Sequence, residues 1–466
     1  MLDFDGKRVL VLGLGETGLS MTRWLARHGA RVSVADTRPQ PPHADALRAE
    51  LPDVPIATGE FHESDFGHAD AIAISPGVDR RAAHVAAAID RGVPVIGDIE
   101  IFARSLERLV ESRARLKPKI IAITGSNGKS TVTSMSGAAA RAAGLNTIVA
   151  GNIGLPVLDV LTGIENGEPL PEVFALELSS FQLESTQSLR ADAATVLNVT
   201  EDHLDRYDGM PEYAAAKARI FAGTGAQVLN RQDALSMGMT RSGRKVVTFG
   251  ADCPSNESDW GIHDRNTLAR GSAPLMRLEE LKVAGLHNAA NALAALALCS
   301  EIGVPLEPML EGLRTFEGLP HRLEKVAELN GIGFYDDSKG TNVGATVAAL
   351  NGMTVPVALI AGGDGKGQDF TPLVEAVRAH ARAVVLIGRD GPQIERALAG
   401  SGVRLVKART MEDAVQSAYS ECRAGDAVLL SPACASYDMF RSYVHRGQVF
   451  VAAVKALIDS QQGQTR

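Results

Sequence analysis

Cysteine is scarce in this chain. Cys253, Cys299, Cys422 and Cys434 lie scattered through 466 residues without paired metal spacing, which excludes a disulfide scaffold and a thiolate-rich metal site and fits a reducing compartment. Aromatics make up only 5%, with Trp24 and Trp260 the two tryptophans, so a surface built on base stacking is not expected. Excess positive charge is also missing: the formal net charge is −8, which gives no footprint for a phosphate polymer, and no nucleic-acid partner is expected. No eighteen apolar residues run uninterrupted, so no membrane span is expected. The opening MLDFDGKRVLVLG has no basic lead and no small-residue cleavage site before its apolar run, so a cytoplasmic protein is expected.

What is present is ample globular material. Of the residues 45% are hydrophobic and 22% charged, and Gly 46 and Pro 21 follow no repeat. At roughly 100–200 residues per domain, the length corresponds to two to four domains. Three segments read as α/β units. The first holds strands at Arg8–Leu12, Arg31–Ala35, Ala71–Ser75 and Val93–Ile96, with a helical stretch Leu19–Arg27. The second opens on the strand Ile120–Thr124, with further strands at Val173–Leu178 and Ala194–Val199, a loop-like stretch over residues 250–275, and a helix near Asn288–Ser300. The third follows Gly318-Leu319-Pro320, with strands at Gly333–Tyr335, Val357–Ile360, Ala383–Ile387 and Ala427–Leu430. Strands alternating with helices imply mainly parallel sheets, in which ligands sit beyond the carboxyl ends of the strands. The first boundary falls within Pro94–Pro118, where the charged segment from Ser105 leads into the next strand. The expected division is residues 1–96, 97–318 and 319–466.

Two glycine turns carry chemistry. Gly13-Leu14-Gly15-Glu16-Thr17-Gly18 matches G-x-G-x-x-G after a strand and opens a helix, and Asp36 ends the second strand, where an acid would bind ribose hydroxyls. The bland alternative is a tight turn holding no ligand. Such a turn suits a diphosphate-containing ligand without identifying it. Thr124-Gly125-Ser126-Asn127-Gly128-Lys129-Ser130-Thr131 runs from strand to helix as a phosphate-binding loop, shorter than the Walker form. Its amides would cradle the phosphates of ATP, Lys129 would neutralise them, and the Ser130 hydroxyl would ligate Mg²⁺. A nicotinamide dehydrogenase would need only the first turn. Both together call for an ATP site beside a second diphosphate ligand.

Other strand ends add polar groups. Glu177 ends VFALEL and is a suitable oxygen ligand for Mg²⁺, unless it is merely a capping acid. His203 stands among Glu201, Asp202 and Asp205 after ATVLNV, whereas Lys217, in the helical run AAAKARIF, reads by itself as a solvated lysine. In the third unit, Asp336-Asp337-Ser338-Lys339-Gly340-Thr341-Asn342, Gly362-Gly363-Asp364-Gly365-Lys366 and Ser431-Pro432-Ala433-Cys434-Ala435-Ser436 each follow a strand. Each alone is ordinary turn chemistry. Three donor-rich strand ends together argue for a site that holds a small dianion.

In this order, GLGETGLS, TGSNGKST, LELSSFQL, NVTEDHLDRY, HNAANALAA, GLPHRLE, DDSKGTN, GGDGK and SPACASYD resemble the Mur ligase family over nearly the whole chain. The resemblance implies an α/β protein of three domains: a Rossmann-like N-terminal domain, a central P-loop ATPase-type domain and a Rossmann-like C-terminal domain. DDSKGTN resembles the branch that joins D-glutamate to UDP-N-acetylmuramoyl-L-alanine with ATP, through an acyl phosphate, in peptidoglycan precursor synthesis. By that resemblance Thr17, Asp36, Thr37, Arg38 and Gly77 would meet the uridine diphosphate, and Asn152 and His203 the rest of that substrate. Residues Gly125 to Thr131, Asn291, Arg322 and Asp337 would meet ATP, and Lys339, Thr341, Lys366, Ser436 and Tyr443 the glutamate. The resemblance also implies two Mg²⁺, one on Ser130 and Glu177 and another on His203 and Lys217, the lysine as a carbamate. Lys129, Glu177, His203 and Lys217 are thus the expected catalytic group, in a protein expected to act as a monomer. The family commonly has Phe where Tyr443 stands, and an apolar residue where Glu16 precedes Thr17.

Overall fold

A computed structural model describes residues 4–113, 117–283 and 285–463. Among them the strands form three sheets. The first contains β1 (Arg8–Leu12), β2 (Arg31–Asp36), β3 (Ile56–Thr58), β4 (Ala71–Ile74) and β5 (Val95–Ile96), all parallel, in the order β3–β2–β1–β4–β5. Val9 to Leu12 and all of β4 are buried, as expected for strands covered by helices on both faces. The order reverses between β1 and β4. The first glycine turn leaves β1 there, and Ser75 to Gly77 leave β4.

The second sheet contains β6 (Lys119–Thr124), β7 (Thr147–Gly151), β8 (Val173–Glu177), β9 (Ala193–Val196), β10 (Ala226–Asn230), β11 (Val246–Phe249), β12 (Trp260–His263), β13 (Thr267–Arg270) and β14 (Ala273–Arg277). Its order is β14–β13–β12–β11–β10–β9–β6–β8–β7. It is parallel from β7 to β12, and β13 and β14 add an antiparallel edge. The expected loop over residues 250–275 is therefore corrected to a short meander. Its strands are four or five residues long and separated by Gly and Asp, so they show no clear alternation, and their order comes from Trp260, Leu268 and Met276 packing into the core below.

The third sheet contains β15 (Glu324–Leu329), β16 (Ile332–Asp336), β17 (Val357–Gly362), β18 (Ala381–Ile387), β19 (Arg404–Lys407) and β20 (Ala427–Leu430), in the order β15–β16–β20–β17–β18–β19. β15 pairs antiparallel with β16 and the remaining pairs are parallel. The architecture is three-domain α/β.

The link between the first two sheets differs from the expected charged lead-in. Most of it is a helix, Asp98–Arg113, while residues 114–116 lie outside the described residues. Ile99, Ile101, Phe102 and Leu106 of this helix are buried in one cluster with Val11, Leu25, Phe174 and Leu176. One apolar stripe thus joins the first two domains. The Ser20 hydroxyl adds a polar tie by donating to Asp159 across the same seam at 2.7 Å.

Candidate functional site

The second glycine turn lies between β6 and a helix, Lys129–Ala142. Gly128 holds that helix's N-cap position at φ 83° with no side-chain cap, so the first amides of the helix stay open toward a phosphate. A side chain at Gly128 would also strike Asn291, 2.6 Å from where its Cβ would stand. Lys129 folds back, donating Nζ to the carbonyls of Gly125 and Ser126 at 2.8 Å each.

Around this loop is a cavity of about 380 Å³ walled by two domains. Ser126, Asn127, Gly128, Lys129, Ser130, Asn152, Glu177, His203 and Lys217 enter from the central domain, and Arg322, Lys339, Thr341, Lys366, Ser436 and Tyr443 from the third. A second cavity of about 250 Å³ lies on the other side of the loop, where Thr131, Asn291 and Asp337 join Asn127, Gly128, Arg322 and Lys339. Gly125 lines neither cavity; its carbonyl anchors two lysines. The two domains touch at the loop itself. Arg322 donates to the Ser130 hydroxyl at 2.7 Å, and Lys366 pairs with Asp202.

Burial sets the charges here. Lys217 is 1% exposed, which corrects the sequence reading of a solvated lysine: the helix Met210–Ala218 turns this position inward, beneath the loop. Its Nζ donates to the Gly125 carbonyl at 3.0 Å and lies 4.4 Å from the centre of the Tyr213 ring. Burial first, and then the charge of Lys129, holds its pKa well below the ordinary lysine value. Burial also lowers Lys129, and it lowers His203 to about 4 despite the opposing pull of Asp202. Asp337 is pushed up to about 7 by burial, against a hydrogen bond donated by Ser431.

Glu177 is 1% exposed. Its Oε1 accepts from Asn152 at 2.7 Å, while Oε2 is buried without a partner. An orphaned carboxylate oxygen costs free energy unless something is bound to it. It shares a cavity with the Ser130 hydroxyl, and two hard oxygens suit a divalent cation such as Mg²⁺. The donor set fits.

The residues expected at the uridine diphosphate gather elsewhere. Thr17, Thr37, Arg38 and Gly77 lie at the carboxyl edge of the first sheet and line neither cavity. The turn itself is tight: a Cβ on Gly18 would fall 1.8 Å from the Gly13 carbonyl oxygen. Asp36 is held within that turn. It is 2% exposed, and its carboxylate accepts from Leu14 N–H at 2.6 Å and from Arg38 N–H and Nε at 2.8 Å. An acid so engaged shapes the turn and fixes Arg38 beside it.

Comparison with known proteins is decisive about kinship. The family description "Mur ligase MurD-like, N-terminal domain" matches residues 7–97, "Mur ligase middle domain" matches 123–299, and "Mur ligase, glutamate ligase domain" matches 321–434. The chain belongs to the Mur ligase family. It is similar to the UDP-N-acetylmuramoylalanine–D-glutamate ligases of Thiobacillus denitrificans, 58% identical over 98% of both chains, and of Methylobacillus flagellatus, 56% identical over 98% of both. Among solved structures, the UDP-N-acetylmuramate-alanine ligase of Thermotoga maritima shares the fold at 20% identity with a TM-score of 0.60, covering 97% of this chain and 99% of that one.

Within this Mur ligase, eight residues lining the main cavity were given no role from the sequence, among them Asp202, Tyr213, Phe181 and Asn342. The signals were faint. Tyr213 stands one helical turn before Lys217, which puts both on one face. Asp202 adjoins His203, whose φ of 56° marks a turned backbone. Phe181 follows the helix cap Ser179 and packs edge-on to His203, with ring centres 4.8 Å apart. Asn342 is the cap of another helix, an ordinary structural place.

Proposed function

We propose that this chain is an ATP-dependent, ADP-forming ligase that adds D-glutamate to UDP-N-acetylmuramoyl-L-alanine in peptidoglycan precursor synthesis. The observation that carries this reading is the main cavity, where an open phosphate loop faces Lys339, Thr341, Lys366 and Ser436 of another domain. In this reading residues 1–96 hold the uridine diphosphate, 97–318 hold ATP, and 319–466 hold the amino acid. The enzyme works in the cytoplasm as a monomer. No helix among the described residues is long and apolar enough to cross a membrane.

The reaction sets the site's task. The alanyl carboxylate attacks the γ-phosphorus of ATP, and the bond to ADP breaks. The amine of D-glutamate then attacks the acyl phosphate, loses a proton, and expels phosphate to leave an amide. Bringing a carboxylate to a polyphosphate gathers negative charge, which Lys129, Arg322 and the open helix end oppose from fixed positions. Ser130 and Glu177 would hold one Mg²⁺, and His203 with a carbamylated Lys217 a second. When bound, these cations neutralise charge on the phosphates and on the attacking carboxylate. Neutral His203 suits such a role, since an imidazolium has no lone pair to offer. Contacts between the third domain and the loop keep water from the acyl phosphate.

Phosphate release from ATP in the presence of UDP-N-acetylmuramoyl-L-alanine tests the reading, with D-glutamate compared against L-glutamate and other amino acids. Release stimulated by D-glutamate, and lost by orders of magnitude in folded Lys129→Ala, is expected. A sister ligase of this fold would respond to a different amino acid, and a binding module to none.

A further inference from the structure

The Asn342 side chain does two jobs at once. Its Oδ1 caps the helix Val343–Gly352 by accepting from Ala345 N–H at 2.8 Å. Its Nδ2 crosses to the central domain, donating to Asn127 Oδ1 of the phosphate loop and to Asp202 Oδ2, each at 3.1 Å. Asn342 is 3% exposed and Asp202 5%, so this link sits at the buried wall of the main cavity. Close approach is built in as well. At Gly344, in the same helix, a Cβ would stand 3.0 Å from Thr200 Oγ1 and 3.2 Å from Asn127 Nδ2.

The seam continues at both ends. Asn127 N–H donates to Asn198 Oδ1 at 2.8 Å, which fixes the loop's backbone. On the third-domain side, Val343 N–H donates to Gln368 Oε1 at 2.9 Å, and Gln368 Nε2 donates to the Gly365 carbonyl at 2.8 Å, one residue before Lys366. A continuous chain of hydrogen bonds thus runs from the phosphate loop to the loop that carries Lys366.

We infer that the Asn342 amide is a positioning residue that couples the phosphate loop to the amino-acid loop, so that the acyl phosphate and the attacking amine are aligned together. It touches no reacting atom. The inference rests on the proposed ligase reading, since alignment matters only if both substrates meet here. The physical reason is geometric: a small misplacement between two bound reactants costs far more rate than binding.

Capping and coupling separate by substitution. Asp and Ser cap helices about as well as Asn. Neither reproduces the crossing: Asp offers no donor and brings a second carboxylate against Asp202, and Ser is too short. The test is therefore Asn342→Asp and Asn342→Ser in the full chain, with thermal unfolding, steady-state ligation, and acyl phosphate trapped chemically in the absence of D-glutamate. The expected result is a protein that still unfolds cooperatively, with the melting temperature lowered more in Asn342→Asp than in Asn342→Ser, continued acyl phosphate formation, and kcat for ligation lowered by about tenfold or more in both, with phosphate released in excess of amide. That size corresponds to losing a hydrogen bond to a charged group. Asn127→Ala combined with Asn342→Ser should cost less than the sum of the single changes, because both break the Asn127–Asn342 link, while Asn342→Ser also frees Asp202. Ligation at the wild-type rate in Asn342→Asp or Asn342→Ser, or additive losses in the double variant, would overturn the inference. Absence of ligation in the wild-type chain would instead refute the ligase reading itself.

Discussion

Lys129 and Lys217 donate to the same oxygen, the Gly125 carbonyl, at 2.8 and 3.0 Å. Two ammonium groups sharing one acceptor repel each other, and burial makes the repulsion costly. The strain falls most on Lys217, the deeper of the pair, where burial and then the charge of Lys129 hold the pKa well below the ordinary lysine value. A neutral amine is the form that takes up CO₂, releasing a proton to become a carbamate.

Lys217→Arg should therefore abolish ligation even though charge is kept, because a guanidinium remains a cation and does not form this adduct. The larger side chain also strains a site that is 1% exposed, so thermal unfolding has to accompany the assay. Lys217→Ala gives the cleaner measurement: activity falls by orders of magnitude and added formate restores part of it. Full activity in a folded Lys217→Arg protein would show that no carbamate is needed.

Arg322 reaches across the domain seam to Ser130 and lines both cavities. A fork of donors on a planar group suits phosphate oxygens, and lysine supplies a point charge in its place. Arg322→Lys should lower kcat/KM for ATP by about tenfold to a hundredfold, consistent with one or two charge-assisted hydrogen bonds. The KM for the uridine substrate should stay within about twofold, as the proposed reading seats its diphosphate at the first sheet. Equal effects on both substrates would mean that Arg322 mainly holds the domains together.

The sequence made the phosphate loop legible because glycines, lysine and serine sat between a β-branched run and a helix. β1, β6 and β17 were legible for a similar reason, as buried parallel strands written as unbroken apolar runs. The meander β12–β14 was not, since its strands are short and take their order from Trp260 and Met276 reaching the core. Lys217 misled because a single lysine in an Ala-rich helix carries no sign of which face is buried. The place of Asp36 at a strand end was legible, but its bonds to Arg38 two residues later and to the Leu14 amide were not, because they depend on how the turn folds back. Seams such as Asn342 with Asn127 join residues 215 positions apart, and no local pattern encodes them.

Lys339 offers a pH test. Its Nζ lies 3.8 Å from the centre of the Tyr443 ring, and burial, reinforced by the nearby charge of Arg322, lowers its pKa to about 8. The charged form is present below that value and is lost as pH rises through it. Affinity for an anionic amino acid should accordingly fall above about pH 8, seen as a rising KM for D-glutamate. Tyr443→Phe keeps the ring face and should leave KM within about twofold, whereas Tyr443→Ala should raise it about three- to tenfold. A large loss in Tyr443→Phe would assign the hydroxyl, rather than the ring, to binding.

Lys366 is the residue on which the domain assignment turns. Its φ of 52° aims it out of the loop after β17, and its Nζ pairs with Asp202 of the central domain. Glutamate brings two carboxylates, and a lysine set beside Thr341 and Ser436 is suited to one of them. Lys366→Ala should raise the KM for D-glutamate sharply, by about tenfold or more, with much smaller changes for ATP and the uridine substrate. The substitution also leaves the buried Asp202 carboxylate without its lysine partner, which alone would disturb the site. Combining Lys366→Ala with Asp202→Asn removes that second effect. If Lys366 binds glutamate, the double variant stays impaired in glutamate KM; if it only neutralises Asp202, the double variant recovers. An unchanged glutamate KM together with weakened uridine-nucleotide binding would reverse the roles given to the first and third domains.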